Sequence, residues 1–226
     1  MLIEQDQCAM KVSTDACILG AWTPIPPESK TVLDIGTGTG LLSLMLAQRN
    51  ESLKIDALEI DSSAAKQASE NISNSIFFNQ ISVIEYDAKA WQNDLRYDLI
   101  ICNPPFFSNS LKGNNQIRNM ARHNDDFSFD DLLKVVSVNL KSEGTASILL
   151  PISEMTRCET AIKKTQLKQS GSLLIKPFAH QEPNRIIVLL NYKDDIPFRE
   201  ELVIYKEQKL YTKEFIDLLS PFYLHL

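Results

Sequence analysis

At 226 residues the chain is long enough for one domain with a sizeable core, and its 44% hydrophobic and 23% charged content is ordinary for a globular protein. Its longest apolar runs, such as 186–190, fall far short of the roughly 20 residues that span a bilayer, and Glu4 and Asp6 stand where a basic leader would be; a cytoplasmic protein is expected. A net charge of -6 gives no global pull toward nucleic acid, and four scattered cysteines (Cys8, Cys17, Cys102, Cys158) without a CxxC pair argue against a zinc site or a disulfide framework.

Residues 11–22 carry Ser13, Thr14 and Asp15 as candidate caps of a short apolar helix, which the prolines at 24, 26 and 27 end. Strands and helices then alternate. Strands are expected at 31–35, 54–59, 81–85, 97–102 and 146–150, and helices at 41–48, 63–72, 129–140 and about 153–168. In the second of these helices Ala65, Ala68 and Ile72 repeat at the spacing of one buried face. Strict alternation with short links predicts a mostly parallel sheet with helices on both faces. The late strands 173–177 and 186–192 have no full helical repeat between them, so they are expected to pair as an antiparallel ribbon at one edge. This makes a seven-stranded α/β sheet, with a further strand possible at 202–205 and a last helix at 213–219. One domain over 1–226 is expected, with residues 1–30 as an N-terminal cap and 193–226 as a C-terminal extension.

Three of the seven glycines crowd into Asp34-Ile35-Gly36-Thr37-Gly38-Thr39-Gly40, directly after the first strand. Glycine takes positive φ and lets a ligand approach a bare backbone, so this reads as a nucleotide loop opening a helix. Glu59 ends the second strand, 19 residues after Gly40, where a carboxylate can accept both ribose hydroxyls. A dinucleotide loop wants G-x-G-x-x-G, but position 41 is Leu; the G-x-G-x-G form fits S-adenosylmethionine (AdoMet) instead. Asp87 at the end of the third strand is either an acceptor for the adenine amine of that cofactor or the cap of a turn, and both readings stand.

The fourth strand stops on Asn103-Pro104-Pro105-Phe106. Proline fixes its own φ and pushes the preceding residue to extended backbone, so a planar amide, a carbonyl and an aromatic ring can stand side by side. Alone, the tetrapeptide is equally an ordinary strand exit. Residues 106–123 hold Lys112, Arg118 and Arg122 with no acid, and residues 160–181 hold Lys163, Lys164, Lys168 and Lys176 with no acid; together they suggest a basic face, although solvated lysines explain the second stretch as well.

With these pieces in place, the chain resembles a class I AdoMet-dependent methyltransferase, and within that superfamily the tRNA(Val) adenine-N6 methyltransferases. Residues 10–22, Pro183-Asn184-Arg185 and Pro221-Phe222-Tyr223-Leu224 carry the narrower match. The resemblance implies a Rossmann-like fold and methylation of the N6 amine of an adenosine beside the anticodon. It implies that Asn103, Pro104, Pro105 and Phe106 are catalytic. Thr14, Asp15, Asp34, Gly36, Thr37, Gly38, Gly40, Glu59, Ile60, Asp87, Ala88 and Asn103 would bind AdoMet. Phe106, Lys112, Arg118, Arg122 and His123 would contact tRNA. A monomer needing no metal is expected. Methylation of a protein glutamine, of a DNA adenine, or of a guanine amine in ribosomal RNA are the competing activities, and a non-catalytic AdoMet-fold module is the competing class.

Overall fold

The computed structural model describes residues 3–8, 11–104, 127–208 and 210–224. The expected residues Met10, Pro105, Phe106, Lys112, Arg118, Arg122 and His123 lie outside them.

Helix α1 (Thr14–Trp22) starts where Ser13, in extended backbone, accepts a hydrogen bond from the Ala16 amide, as an N-cap should. Then follow β1 (Thr31–Ile35), α2 (Leu41–Arg49), β2 (Lys54–Glu59), α3 (Ser62–Ser73), β3 (Ile81–Glu85) and β4 (Tyr97–Cys102). Asp61 caps α3 through the Ala64 amide, and a reciprocal Ser128 and Asp131 capping box opens α4 (Phe129–Asn139). Strand β5 (Leu140–Pro151) continues from α4 without a loop, then come α5 (Met155–Ile162), β6 (Lys168–Phe178), β7 (Arg185–Asn191), β8 (Phe198–Glu207), β9 (Leu210–Tyr211) and α6 (Lys213–Leu219). No helix among the described residues is long and apolar enough to cross a membrane.

The strands form one sheet in the order β3-β2-β1-β4-β5-β7-β6-β8-β9. Strands β3, β2, β1, β4 and β5 run parallel, β7 is antiparallel to both β5 and β6, β6 is parallel to β8, and β9 turns back on β8. The architecture is thus the expected α/β one, but the sheet has nine strands instead of seven. The antiparallel ribbon of β6 and β7 forms as expected, yet it lies inside the sheet, because β8 joins β6 and carries β9 outward. In β8 only Leu202 and Ile204 are buried, an alternation too short to announce a ten-residue strand. Its docking depends on Gly171 of β6: a Cβ there would lie 2.4 Å from the Phe198 ring. The expected helix at 153–168 shrinks to α5 because β6 already begins at Lys168.

Alternate strand residues serve two cores. Val32, Leu99 and Ile101 face α1, α2 and α6 beside Ile18, Leu44, Met45 and Phe215, whereas Leu33, Ile35, Ile100 and Cys102 face α4 and α5 beside Leu133, Val136, Cys158 and Ala161. All four cysteines are free thiols.

Asp98 pins the amino ends of β1, β4 and β5 together. Its Oδ2 accepts from the Lys30 and Thr31 amides and the Thr31 hydroxyl at 2.9–3.0 Å, and its Oδ1 pairs with Lys141 Nζ at 2.8 Å. Burial pushes the carboxyl up, but these donors outweigh it and hold the pKa down at about 2. Because the folded value lies below the unfolded value of about 3.9, the contribution is complete above about pH 5 and fades as the pH falls toward 2. Asp98→Asn is expected to lower stability by about 1–2 kcal/mol at pH 7. In urea titrations the gap between its midpoint and that of the unaltered protein should shrink from pH 5 downward and close as the pH falls through about 2; a constant gap would place the effect outside the ionised carboxylate.

Candidate active site

Parallel pairing brings the carboxyl ends of β1, β2, β3, β4 and β5 to one edge. Ile35 is level with Leu58 and Cys102, Leu58 with Ile84, and Cys102 with Ile148. Gly36, Glu59, Asp87 and Asn103 therefore follow within a few residues of a common row. The strand order reverses between β1 and β4, and at such a switch point the two flanking connections diverge and leave a crevice.

The glycine loop occupies that point. Gly36, Gly38 and Gly40 have φ of 71°, 57° and 82°, a left-handed region that side chains rarely tolerate. A Cβ on Gly36 or Gly38 would meet nothing within 4 Å, so these residues present bare backbone to open space, whereas one on Gly40 would press within 3.3 Å of Ile72 on α3. The loop is tied to β2 by the Gly36 and Thr37 amides, both donating to the Leu58 carbonyl at 2.9 Å. Gly38 N–H donates to Glu59 Oε2 at 2.9 Å, and Glu59 Oε1 accepts from the Ile60 and Asp61 amides. A carboxylate has about four lone-pair positions, so Glu59 is held by three donors and keeps accepting capacity. Ile60 beside it is 67% exposed, an apolar surface at the lip of the crevice.

Asp34 lies fully buried beneath the loop. The hydroxyls of Thr37 and Ser43 each donate to its Oδ2 at 2.7 Å, and its buried Oδ1 has no hydrogen-bond partner among the described residues. Burial drives the carboxyl up to about 6 against those two donors, and the charge of Glu59 adds to the rise. Its role as the loop's opening acid is legible in the sequence; its clamp by Ser43, one of many seryls, is not.

Asp87 accepts from the Lys89 amide at 2.8 Å and caps the turn Ala88–Ala90, so the capping reading holds, and a carboxylate retains lone pairs for an amine. Ala88 packs half-buried against the core under α4. Asn103 is half-buried and Pro104 buried, directly past β4.

At the start of α1, Ser13 is the cap, which leaves Thr14 and Asp15 in the first turn for other work. Asp15 Oδ2 pairs with Arg185 Nε at 3.0 Å, and Arg185 is level with Pro151 at the carboxyl end of β5, so this ion pair stands on the same edge. Thr14 and Cys17 meet the Tyr223 hydroxyl, whose pKa burial pushes up. Two of the three segments that carry the narrower resemblance, 183–185 and 221–224, thus each touch the third at α1.

Two further residues were not apparent from sequence. Gln67 and Asn71 lie on the buried face of α3, and Asn71 Nδ2 donates to the Thr39 carbonyl in the glycine loop at 2.9 Å. Two amides at i and i+4 inside an alanine stripe were the available signal. The second basic stretch, by contrast, does not form one face: Lys163, Lys164 and Lys168 fall at the amino edge and Lys176 at the carboxyl edge. Lys164 there lines a cavity of about 670 Å³ with Arg96, Lys134 and Tyr192, at the opposite end of the strands from the glycine loop.

These features fit the AdoMet expected from the loop: bare backbone at Gly36 and Gly38, an acid with spare lone pairs at Glu59, and a buried carboxylate with an unpartnered oxygen at Asp34. They suit a ligand that carries hydroxyls and a positive charge.

Comparison with known proteins agrees with this reading. The family model described as methyltransferase small domain matches residues 19–137. Two proteins named tRNA1(Val) (adenine(37)-N6)-methyltransferase, from Bacteroides thetaiotaomicron and Bacteroides fragilis, are 40% identical to the chain over 222 and 224 residues. The alignments cover 98% of this chain and 93% and 94% of those proteins. Among solved structures, protein Atu636 of Agrobacterium tumefaciens, described as a predicted O-methyltransferase, superposes with a TM-score of 0.71 at 20% identity over 91% of this chain and 95% of its own, a likeness of fold. The chain belongs to the methyltransferase small-domain family and, along nearly its whole length, to the tRNA1(Val) (adenine(37)-N6)-methyltransferases.

Proposed function

We propose that this protein transfers the methyl group of AdoMet to the exocyclic N6 amine of adenosine 37 in tRNA1(Val), acting as a cytoplasmic monomer. The observation that carries the site assignment is the position of Asn103 and Pro104 directly past β4, one strand from the glycine loop at the switch point.

Bound AdoMet supplies a methyl group already activated on a sulfonium. The chain's own residues hold it and aim the amine. Glu59 takes the ribose hydroxyls, Ile60 and Ala88 flank the cofactor's adenine, and Asp87 accepts from its amine. Asp34 would lie toward the positive methionine end, Gly36, Thr37, Gly38 and Gly40 would offer backbone, and Thr14 and Asp15 would close over the top. On the substrate side, adenine N6 is a poor nucleophile because its lone pair is delocalised into the ring. Asn103 Oδ1 and the Pro104 carbonyl each accept one N6 hydrogen, which orients the nitrogen and stabilises the positive charge that grows on it. Formation of the N6–C bond would be matched by loss of the S–C bond, with S-adenosylhomocysteine as the leaving product and one N6 proton passing to solvent. Phe106 is assigned to stack on the extruded base, and Pro105 completes the motif. Lys112, Arg118, Arg122 and His123 hold the RNA backbone.

Asn103→Ala is expected to cut methyl transfer to tRNA1(Val) by about 100-fold or more and to weaken calorimetric AdoMet affinity far less than that. A variant with near-normal turnover would sink the mechanism. Lys112→Glu with Arg118→Glu should weaken tRNA binding by roughly tenfold or more and leave AdoMet affinity intact; unchanged RNA affinity removes those two residues from the interface.

Asp34 makes cofactor affinity depend on pH. Its folded pKa of about 6 lies above the unfolded value, so the free protein loses stability as the pH rises from about 4 to 6. A cationic ligand prefers the ionised form, so AdoMet affinity should rise as the pH goes from 5 to 7 and level off above. Asp34→Asn should weaken binding about tenfold at pH 7 and flatten this profile; a profile unaltered by the substitution would assign the titration elsewhere.

A further inference from the structure

We propose that Gln67 and Asn71 are positioning residues that lash the N-terminal segment across α3, so that residues 3–8 form a wall of the cofactor site and close it from the β2 side. This rests on the AdoMet reading of the crevice and names the parts that hold it together.

The two amides are 3% and 4% exposed, and every polar atom on them is used. Asn71 Oδ1 accepts from the Glu4 amide at 2.9 Å while its Nδ2 donates to the Glu4 carbonyl at 2.8 Å and to the Thr39 carbonyl of the glycine loop at 2.9 Å. One side chain therefore pairs with a backbone residue as a neighbouring strand would, and joins that segment to the loop. One turn earlier on α3, Gln67 Oε1 accepts from the Gln7 amide at 3.1 Å and from the Cys8 thiol at 3.0 Å, and its Nε2 donates to Asp6 Oδ1.

The order of these contacts gives the path. Glu4 sits at Asn71 and residues 6–8 at Gln67, so the segment runs antiparallel to α3 toward the helix start. That start is capped by Asp61, two residues past the end of β2, and burial with the charges of Glu59, Asp61 and Asp6 pushes the Cys8 thiol up. Glu59 is the residue assigned to the ribose. Ile3 and Val12 anchor the two ends in the core, and Gln5 Oε1 accepts from the Val12 amide at 2.8 Å, folding the segment back toward α1.

Energetics explain why two amides stand in an alanine stripe. A buried amide left without partners costs about 1–3 kcal/mol per unpaired group, so the segment can cover Gln67 and Asn71 only in a register that pairs their polar atoms. Conversely the segment has little apolar surface of its own, and without the amides its ordering entropy would prevail. A cofactor in contact with both loop and wall then stabilises the closed arrangement by mass action.

Cys8 is a built-in reporter, since it is half-buried while Cys17, Cys102 and Cys158 are buried. In the full chain, AdoMet should slow alkylation of Cys8 by N-ethylmaleimide at least tenfold. Gln67→Ala and Asn71→Ala should each speed alkylation of the free protein and raise the AdoMet Kd about tenfold, with kcat at saturating AdoMet unchanged and the circular dichroism spectrum retained. Deleting residues 2–7 leaves α3 intact and should raise the Kd as much, and Gln67→Ala should add nothing in that background. The inference is overturned if AdoMet leaves Cys8 reactivity unaltered, if both variants bind within twofold of the parent, or if Gln67→Ala weakens binding further after the deletion. Failure of the unaltered protein to bind AdoMet at all would instead overturn the cofactor assignment.

Discussion

The hydrogen bond from Gly38 N–H to the Glu59 carboxylate is the interaction on which the functional edge depends. Parallel pairing places the ends of β1 and β2 side by side, but it leaves the loops beyond them free to diverge. Glu59 prevents this. Its carboxylate also collects the Ile60 and Asp61 amides, so one side chain fixes the loop after β1 and the turn that enters α3. Asp61 can then cap α3, and α3 in turn packs Ile72 against Gly40 and sends Asn71 to Thr39. The chain of contacts returns to the loop from which it began. A change at any of these residues is felt at the others.

This closure separates rigidity from recognition. The loop is held by hydrogen bonds on the side facing β2 and α3, while the sides of Gly36 and Gly38 where a Cβ would project meet nothing. A ligand binding there need not first displace protein contacts, so little of its binding free energy is lost to reorganisation. Asp34 adds the opposite device. Thr37 and Ser43 hold it under the loop while burial raises its pKa against their hydrogen bonds, so a positive charge brought near it would favour the ionised form.

The parts legible from sequence are those in which one residue type answers a local backbone demand. Three glycines in five positions mark the loop because no other residue takes those φ values without strain, and the acids at 59 and 87 are found by counting from strand ends. The outer strands were misjudged for the complementary reason. Strand β8 has two buried side chains and is held by pairing to β6 and by the fit of Phe198 on Gly171, which are long-range facts with no local pattern. Likewise the pairing of Asp15 with Arg185 spans 170 positions, and neither residue is unusual in its own neighbourhood. Gln67 and Asn71 stand between these cases: their spacing is visible, but only the segment lying on them says what they are for.

The charge distribution has a consequence for how RNA is held. The carboxyl edge is acidic at Asp34, Glu59, Asp61 and Asp87, while Asp15 is matched by Arg185. Such an edge favours a cationic cofactor and repels a polyanion with the same field. A phosphate backbone must therefore be gripped by cations that project beyond the cofactor crevice, while only the target base enters it. Lys112, Arg118 and Arg122, the proposed RNA contacts, carry the required sign and lie in an acid-free run of sequence immediately after Asn103-Pro104-Pro105-Phe106. On that proposal, a protein of net charge -6 can admit a neutral base to a site that the base's own phosphates would avoid.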